Sequence, residues 1–289
     1  MIQNARTSVV SLCTWAQRDV WKITSAMLPE KVEADHYKVY VPEGQCVKFA
    51  GITDSRVRVI AETELALDFA NPLKEAVSSA GNSKRYGWYF QQFLKIQAML
   101  EDESDNIIIW DSDCVPISSV RFFDVSGRAK LFTSPEYHEG YFPPIQKLLD
   151  LNKSQKASFI APGFAMKKAW VGQIVSEIEK RHGVPWFQAL IASTDFSLRS
   201  GFSEYETLGT WLVENRPDVD VSPDLKWERL GQSKFGYPRR LGVDGVSERG
   251  ESAGLDVVSF ENWDYIGIRR AIYAARFLKE LFNGKKILK

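Results

Sequence analysis

The sequence predicts an α/β protein with a mostly parallel sheet flanked by helices. Short apolar runs that are typical of buried strands alternate with longer segments of helical periodicity in the first part of the chain. The clearest run, Asn106–Trp110, is apolar after its first residue, as expected for a strand covered on both faces. With 289 residues, the chain is long enough for one large domain of this class.

The individual elements follow from periodicity and from proline and glycine positions. Strands are predicted at Ser8–Thr14, Tyr37–Val41, Val57–Ile60 and Asn106–Trp110. Helices are predicted at Arg18–Leu28 (ended by Pro29), Gly87–Leu100, Pro144–Leu151, Met166–His182, Pro185–Ala192 and Tyr205–Asn215. Ser158–Met166 is predicted to be an apolar strand and turn, and Asp218–Gly254, which is rich in proline, glycine and charge, to be irregular.

Composition excludes several classes of function. The formal net charge is zero, so no nucleic-acid partner is expected. Three widely spaced cysteines and three scattered histidines indicate neither a disulfide framework nor a zinc motif. The N-terminal apolar run is interrupted by Arg18 and Asp19, and no uncharged stretch reaches the roughly 18 residues that a membrane span needs. We therefore expect a cytoplasmic protein.

Two carboxylates stand where a parallel sheet binds its ligands. Asp111 and Asp113 directly follow the strand Asn106–Trp110, and ligands of such sheets bind beyond the carboxyl ends of the strands. In extended backbone, side chains two residues apart point the same way. Two adjacent carboxylates suit a hard divalent ion, Mg²⁺ or Mn²⁺, which in turn binds phosphate oxygens. A solvated turn after the strand is the simpler alternative.

Three ordered motifs resemble a known group. Gly87–Lys95 (GWYFQQFLK), Asp111–Asp113 (DSD) and Ser203–Gly209 (SEYETLG) look like a bacterial family of uncharacterised proteins related to GT-A glycosyltransferases. The resemblance covers Ser8–Leu212 and implies a GT-A fold, with a Rossmann-like sheet. It also implies metal-dependent transfer of a sugar from a nucleotide-diphosphate donor, with UDP-sugars favoured. The acceptor would be a saccharide or lipid-linked saccharide, as in surface polysaccharide synthesis.

The resemblance also implies roles for individual residues in holding the nucleotide-sugar. Asp111, Ser112 and Asp113 would lie beside the metal, and Gln91, Gln92 and Lys95 would face the donor from the preceding helix. Arg85 is a candidate for binding phosphate, and Thr14 and Trp15 would lie near the nucleotide base. Of the two glutamines, which lie on adjacent helix faces, only one is expected to point inward. Pro162 and Gly163 would allow the backbone to approach the donor sugar closely.

Acid–base chemistry requires a further carboxylate. An inverting transferase needs a group that accepts the proton of the acceptor hydroxyl. Glu204 is the first candidate and Asp195 the reserve, whereas Glu206 could equally serve the dipole of the helix that starts there. In a retaining enzyme, Glu204 would orient a sugar instead.

A third metal ligand is the point at which the sequence departs from the GT-A pattern. Such enzymes often supply a histidine from the C-terminal region, but this chain has none after His182. Asn262 or Glu261 could replace it through oxygen, or water could complete the coordination.

The chain is divided into a catalytic domain, residues 1–264, and a C-terminal helix, residues 265–289. From Arg269 onwards, basic residues alternate with apolar ones. This pattern suits peripheral attachment to the inner face of the cytoplasmic membrane. It suits equally well a helix that packs on the catalytic domain with a solvated basic face.

Two other functions are compatible with the residues. In a haloacid-dehalogenase-like phosphatase, Asp111 would be the nucleophile and Asp113 the acid–base, although that motif usually opens the domain and no later metal-binding acidic pair is evident. A non-catalytic module that binds nucleotide-sugars would explain the missing histidine.

Overall fold

The computed structural model describes residues 5–264. Its strands are β1 Thr7–Leu12, β2 His36–Val41, β3 Val57–Ala61, β4 Asn106–Trp110, β5 Cys114–Pro116, β6 Lys130–Phe132, β7 Gly163–Lys167, β8 Asp220–Ser222, β9 Trp227–Glu228 and β10 Val257–Ser259. Its α-helices are α1 Arg18–Lys31, α2 Cys46–Ala50, α3 Ala70–Ser79, α4 Tyr86–Glu101, α5 Phe142–Leu149, α6 Lys168–His182, α7 Trp186–Ser193, α8 Glu204–Asn215, α9 Gly231–Phe235 and α10 Pro238–Ser252.

The central sheet has five strands in the order β3-β2-β1-β4-β7. The first three pairs are parallel, and β7 runs antiparallel to β4 with Trp110 opposite Gly163. A mixed α/β fold with a mostly parallel sheet flanked by helices is therefore confirmed. All five residues of β4 are buried, as the apolar run predicted.

Helix α1 connects two hydrophobic clusters. Trp21 and Leu28 pack into the main core around the sheet, whereas Val20, Ile23 and Met27 belong to a second cluster with residues of β5, α10 and β10. Strands β5, β10 and β9 form a small separate sheet. The segment that follows β8 is thereby fixed against the far side of α1.

Several predicted elements differ from the structure. Helix α1 continues past Pro29 to Lys31, and the Val32 N–H still bonds to the Leu28 carbonyl oxygen. Met166 lies in β7, and its helix begins at Lys168. Asp218–Gly254 is not irregular, since it contains β8, β9, α9 and α10; the glycines within α10 weaken its helical signal. Helix α3 was not predicted.

None of the helices between residues 5 and 264 combines the length and apolar content that crossing a bilayer requires. The predicted C-terminal helix, residues 265–289, lies outside the described residues.

Candidate functional site

A cavity of about 830 Å³ opens at the carboxyl edge of the central sheet. Leu12, at the end of β1, and Trp110 and Asp111, at the end of β4, line it. Strand β1 lies between β2 and β4, so the connections on its two sides diverge here, which is where open α/β sheets bind ligands. The predicted position of Asp111 and Asp113 at this edge is confirmed.

Backbone hydrogen bonds fix the two aspartates. The Asp111 N–H donates to the Pro162 carbonyl oxygen, just before β7, at 2.9 Å. The Asp113 carbonyl oxygen accepts from the Phe260 N–H, just after β10, at 2.8 Å. The turn between β4 and β5 is thus tied to both sheets, and both side chains line the cavity.

Lys95 lies between two carboxylates. Its Nζ is 2.8 Å from Asp111 Oδ1 and 2.7 Å from Glu204 Oε1. The Tyr205 hydroxyl completes the cluster at 3.1 Å from both Nζ and Asp111 Oδ1. Burial alone would lower the pKa of the Lys95 ammonium, but Asp111 and Glu204 more than reverse this and raise it well above its usual value. Lys95 is therefore a permanent cation. Its contacts with Asp111 and Glu204 link the end of β4 to the first turn of α8.

The Asp113 carboxyl has no cationic side chain beside it among residues 5–264. Its Oδ2 accepts from Gln17 Nε2 at 3.3 Å, and its Oδ1 receives only a long contact from the Cys114 thiol at 3.6 Å. Burial, together with the nearby carboxylates of Glu261 and Asp111, raises the pKa of Asp113 to about 8. A proton or an added cation is needed at this position near neutral pH.

Replacing Asp113 with asparagine should stabilise the metal-free protein, increasingly so as the pH rises. The folded-state pKa of about 8 exceeds the ordinary value of 3.8. Ionisation of this carboxyl between the two values therefore favours the unfolded chain. The difference in free energy of unfolding between Asp113→Asn and wild type should grow with pH across this window and level off above it. Urea titrations in EDTA at several pH values would measure it, with Asp244→Asn, on the exposed side of α10, as the control. A difference that does not change with pH would contradict the assignment.

The side chains that could bind a metal in this cavity suit a hard divalent ion only in part. Asp111 and Asp113 offer carboxylate oxygens to the cavity, and Asn262 lines the same cavity. Glu261 is already engaged, because its Oε1 accepts from Arg229 Nε at 2.8 Å and its Oε2 from Trp263 Nε1 at 3.0 Å. No group of three His, Cys, Asp or Glu side chains within residues 5–264 is arranged to hold a metal. An ion bound here would need oxygens from water or from a ligand as well.

Arg229 is a cavity residue that sequence reasoning missed. It pairs with Glu261 and with Glu136, and its guanidinium lies 5.6 Å from the Trp263 ring centre. The signal that could have found it is the run Lys226–Arg229, in which charged residues flank Trp227, within the segment Asp218–Gly254 that is predicted to be irregular. Arg229 joins the segment after β9 to the segment after β10 on one wall of the cavity.

A model of a protein family matches residues 27–218, more than half of the chain. The description of that family is "Family of unknown function (DUF6492)". The chain belongs to the DUF6492 family. Among proteins of curated function, none matches it. The range shared with the DUF6492 family includes Lys95, Asp111, Asp113 and Glu204, whereas Gln17, Arg229 and Glu261 come from the flanks.

Most of the predicted donor-binding residues of this DUF6492 protein do line the cavity. Arg85, Gln91, Gln92, Lys95, Asp111, Ser112 and Asp113 are all among the lining residues, as is the predicted base Glu204. Both glutamines face it, so the expectation that only one points inward is wrong. Gln92 Oε1 accepts from the Glu204 N–H at 3.2 Å, and Gln92 Nε2 is buried without a partner among the described residues. The amide oxygen of Gln92 thus binds the first N–H of α8, while its amide nitrogen is buried next to the cavity without a hydrogen-bond partner among the described residues.

Thr14 and Trp15 are the exceptions among these residues, because neither lines the cavity. The Trp15 ring packs edge-on against Phe49 at 5.5 Å, and the backbone N–H of Trp15 donates to Gln45 Oε1 at 2.8 Å. Their neighbours Leu12 and Gln17 face the cavity instead. The predicted contact of Thr14 and Trp15 with the nucleotide base is therefore not supported by the cavity as it stands.

Asp195 is not in a position to act as a base. Its Oδ1 accepts from the backbone N–H of Ser197 at 2.9 Å and from the Ser197 hydroxyl at 2.6 Å. These bonds lower its pKa, and the exposed side chain lies outside the cavity lining. The carboxylate closes its own turn, so this geometry does not support the reserve assignment of Asp195.

Glu206 is likewise removed from the cavity. Its Oε2 lies 2.5 Å from Lys153 Nζ, and both side chains are at least 97% buried, with exposures of 2% and 3%. Its Oε1 accepts from the Ser158 hydroxyl and from the Phe159 N–H. Glu206 at the start of α8 therefore forms a buried ion pair that holds the segment before β7 against this helix. The N-cap of α8 is Ser203.

The segment Ser158–Met166 contributes less to the cavity than expected, since only Ile160 of it lines the wall. Gly163 does permit a close approach, but the approach is to protein: a Cβ there would lie 2.5 Å from Phe122 Cζ and 2.9 Å from Trp110 Cε3. The glycine thus serves the packing of β7 against the aromatic core.

Proposed function

We propose that the protein is a metal-dependent glycosyltransferase of the GT-A type. It would move a sugar from a nucleotide-diphosphate donor, with UDP-sugars favoured, to a saccharide or lipid-linked saccharide in surface polysaccharide synthesis. One observation carries the proposal: Asp111 and Asp113 project into a large cavity at the switch point of the sheet, and the charge of Asp113 lacks a cationic partner among residues 5–264. A phosphate-bound divalent ion would supply that partner.

Asp111 and Asp113 would hold Mn²⁺ or Mg²⁺, with Asn262 as a further oxygen donor. The bound ion supplies positive charge that holds the diphosphate and neutralises it as it leaves. Lys95 contributes a second positive charge from the protein itself, and its contacts with Asp111 and Glu204 fix its position. Ser112 and the side-chain amides of Gln91 and Gln92 line the same cavity and would orient the sugar through hydrogen bonds.

Glu204 would act as the general base in an inverting reaction. Its carboxylate would take the proton of the acceptor hydroxyl while that oxygen forms the new bond to the anomeric carbon and the bond from this carbon to the diphosphate breaks. The side chain lines the cavity but is only 5% exposed. Water is thereby largely excluded from the proton acceptor. If the reaction retains configuration, Glu204 would orient the sugar instead.

The first test is a thermal-shift screen of sugar nucleotides with and without Mn²⁺. At a ligand concentration about 100 times Kd, we expect a rise in Tm on the order of 5–10 °C that requires the ion. The ion-dependent part should disappear in Asp113→Ala. Asp244→Ala, on α10 outside the cavity lining, is the matched control.

Stabilisation that is independent of the metal would contradict the proposal. A phosphoryl group trapped on Asp111 after incubation with phosphate esters would also do so, because that intermediate belongs to haloacid-dehalogenase-like phosphatases. Metal-dependent binding of the donor without any release of UDP, across a panel of acceptors, would instead favour a non-catalytic module.

A further inference from the structure

The cavity contains four guanidinium or ammonium groups, and they fall into two kinds. Lys95 and Arg229 each contact two carboxylates. Arg85 and Arg199 also line the cavity, but in the part of the chain from residue 5 to 264 neither forms an ion pair. The only polar contact between them is the bond from Arg85 Nε to the Arg199 carbonyl oxygen at 2.9 Å. Two cations without carboxylate partners therefore face the same cavity.

These two arginines are placed by the surrounding structure. The Arg85 guanidinium lies 4.2 Å from the centre of the Trp88 ring, which holds the plane of the guanidinium. The segment that carries Arg199 is fixed to the start of α4, because the Tyr89 hydroxyl donates to the Leu198 carbonyl oxygen at 2.9 Å and accepts from the Gly201 N–H at 3.0 Å. The Arg85 guanidinium and the backbone that carries Arg199 therefore have defined positions in the absence of a ligand.

The positive charges of Arg85 and Arg199 also repel each other. Burial, and secondarily the proximity of Arg199, lowers the pKa of Arg85. An anion placed between two such groups would relieve this repulsion and could accept from both guanidiniums. The Nε of Arg85 is used by the protein, but its four remaining N–H donors stay available.

This end of the cavity is distinct from the metal end. Arg85 and Lys95 are ten residues apart on and next to α4, which corresponds to about 15 Å along the helix axis. Lys95 contacts Asp111 directly, whereas the Arg85 guanidinium contacts the Arg199 carbonyl oxygen and neither aspartate. The distance leaves room for a second ligand beyond the donor.

We propose that Arg85 and Arg199, with Trp88 as a positioning residue, form an acceptor subsite for a saccharide that carries an anionic group, a carboxylate or a phosphate. The proposal rests on the function proposed above, since it gives the acceptor of that reaction its chemical class. An uncharged acceptor would leave both guanidiniums without an ion-pair partner, whereas an anionic one would pair with them in the cavity that Glu204 also lines.

The indole N–H resonance of Trp88, identified by its loss in Trp88→Phe, is a local reporter of binding. The full chain in EDTA and low salt would be titrated with glucose 6-phosphate, glucuronate, neutral glucose and inorganic phosphate. We expect one or both anionic sugars to shift the resonance with saturation, and which of them does so identifies the anionic group. Arg85→Gln and Arg199→Gln should each weaken that binding about tenfold or more. Arg239→Gln, an exposed arginine of α10, should not weaken it.

Several outcomes would overturn the subsite. They are equal binding of neutral glucose, inorganic phosphate binding as tightly as the anionic sugars, no shift with any ligand, or equal loss of affinity in Arg239→Gln. If Arg85→Gln fails to fold, Arg199→Gln decides, because Arg199 is exposed. Asp113→Ala should retain the anionic binding, which keeps this result separate from the metal-dependent donor test.

Discussion

Glu204→Gln should lower the rate of sugar transfer by about 10²–10⁴-fold while leaving metal-dependent binding of the donor in place. The substitution keeps the shape of the side chain and an oxygen that can accept from Lys95, but removes the group that would take the proton of the acceptor hydroxyl. Release of UDP with a saturating donor, together with the Mn²⁺-dependent thermal shift, would measure the two effects separately. The expected pattern is a fall in kcat with little change in the KM for the donor.

The matched control is Glu214→Gln. Glu214 lies on the same helix, α8, but is exposed at its other end, so its replacement should leave both measurements unchanged. A Glu204→Gln enzyme that keeps its transfer rate would exclude Glu204 as the base. Loss of donor binding together with activity would show that Glu204 acts by holding Lys95 in place.

Glu206→Gln should lower the free energy of unfolding by about 3–5 kcal/mol, because it removes one partner of a buried ion pair. Lys153, only 3% exposed, would keep its charge with no carboxylate beside it. The bonds to Ser158 and Phe159 can survive in part through the amide oxygen. Urea unfolding monitored by tryptophan fluorescence would give the change in the midpoint.

Two variants test the cause of this loss. Glu214→Gln should change stability by no more than about 0.5 kcal/mol, as usual for an exposed position. Lys153→Met combined with Glu206→Gln should recover part of the loss, because the unpaired buried charge is gone. If Glu206→Gln alone unfolds at the same urea concentration as wild type, the Lys153–Glu206 pair contributes nothing to stability. The description of the two side chains as a buried ion pair would then be wrong.

The sequence was informative where the signal is local. The apolar run of β4, the helical spacing of α4 and the aspartates after β4 were each predicted from adjacent residues and confirmed in position. The partners of those residues were not predictable, since Lys95 and Glu204 are 109 positions apart and only the packing of α4 against α8 brings them together. Likewise, periodicity could not separate Glu204 from Glu206, although the first faces the cavity and the second is buried.

The flanks of the cavity escaped prediction for a different reason. Arg229 and Glu261 follow two very short strands, β9 and β10, on either side of a glycine-rich stretch, where local patterns are weak. Their positions are set by the packing of β5, β10 and α10 against α1. Asp195 shows the reverse case, because an aspartate favours a turn in which its side chain bonds the backbone two residues on, and this signal is local.

The position of β1 has a practical consequence for work on this family. The region shared with DUF6492 relatives starts at Met27, part-way through α1. A fragment trimmed to residues 27–218 would lose the middle strand of the five and most of the helix that joins the two apolar clusters. The smallest unit that can fold independently is therefore larger than residues 27–218, which the family model matches. Biochemical preparations need the segments on both sides of this region.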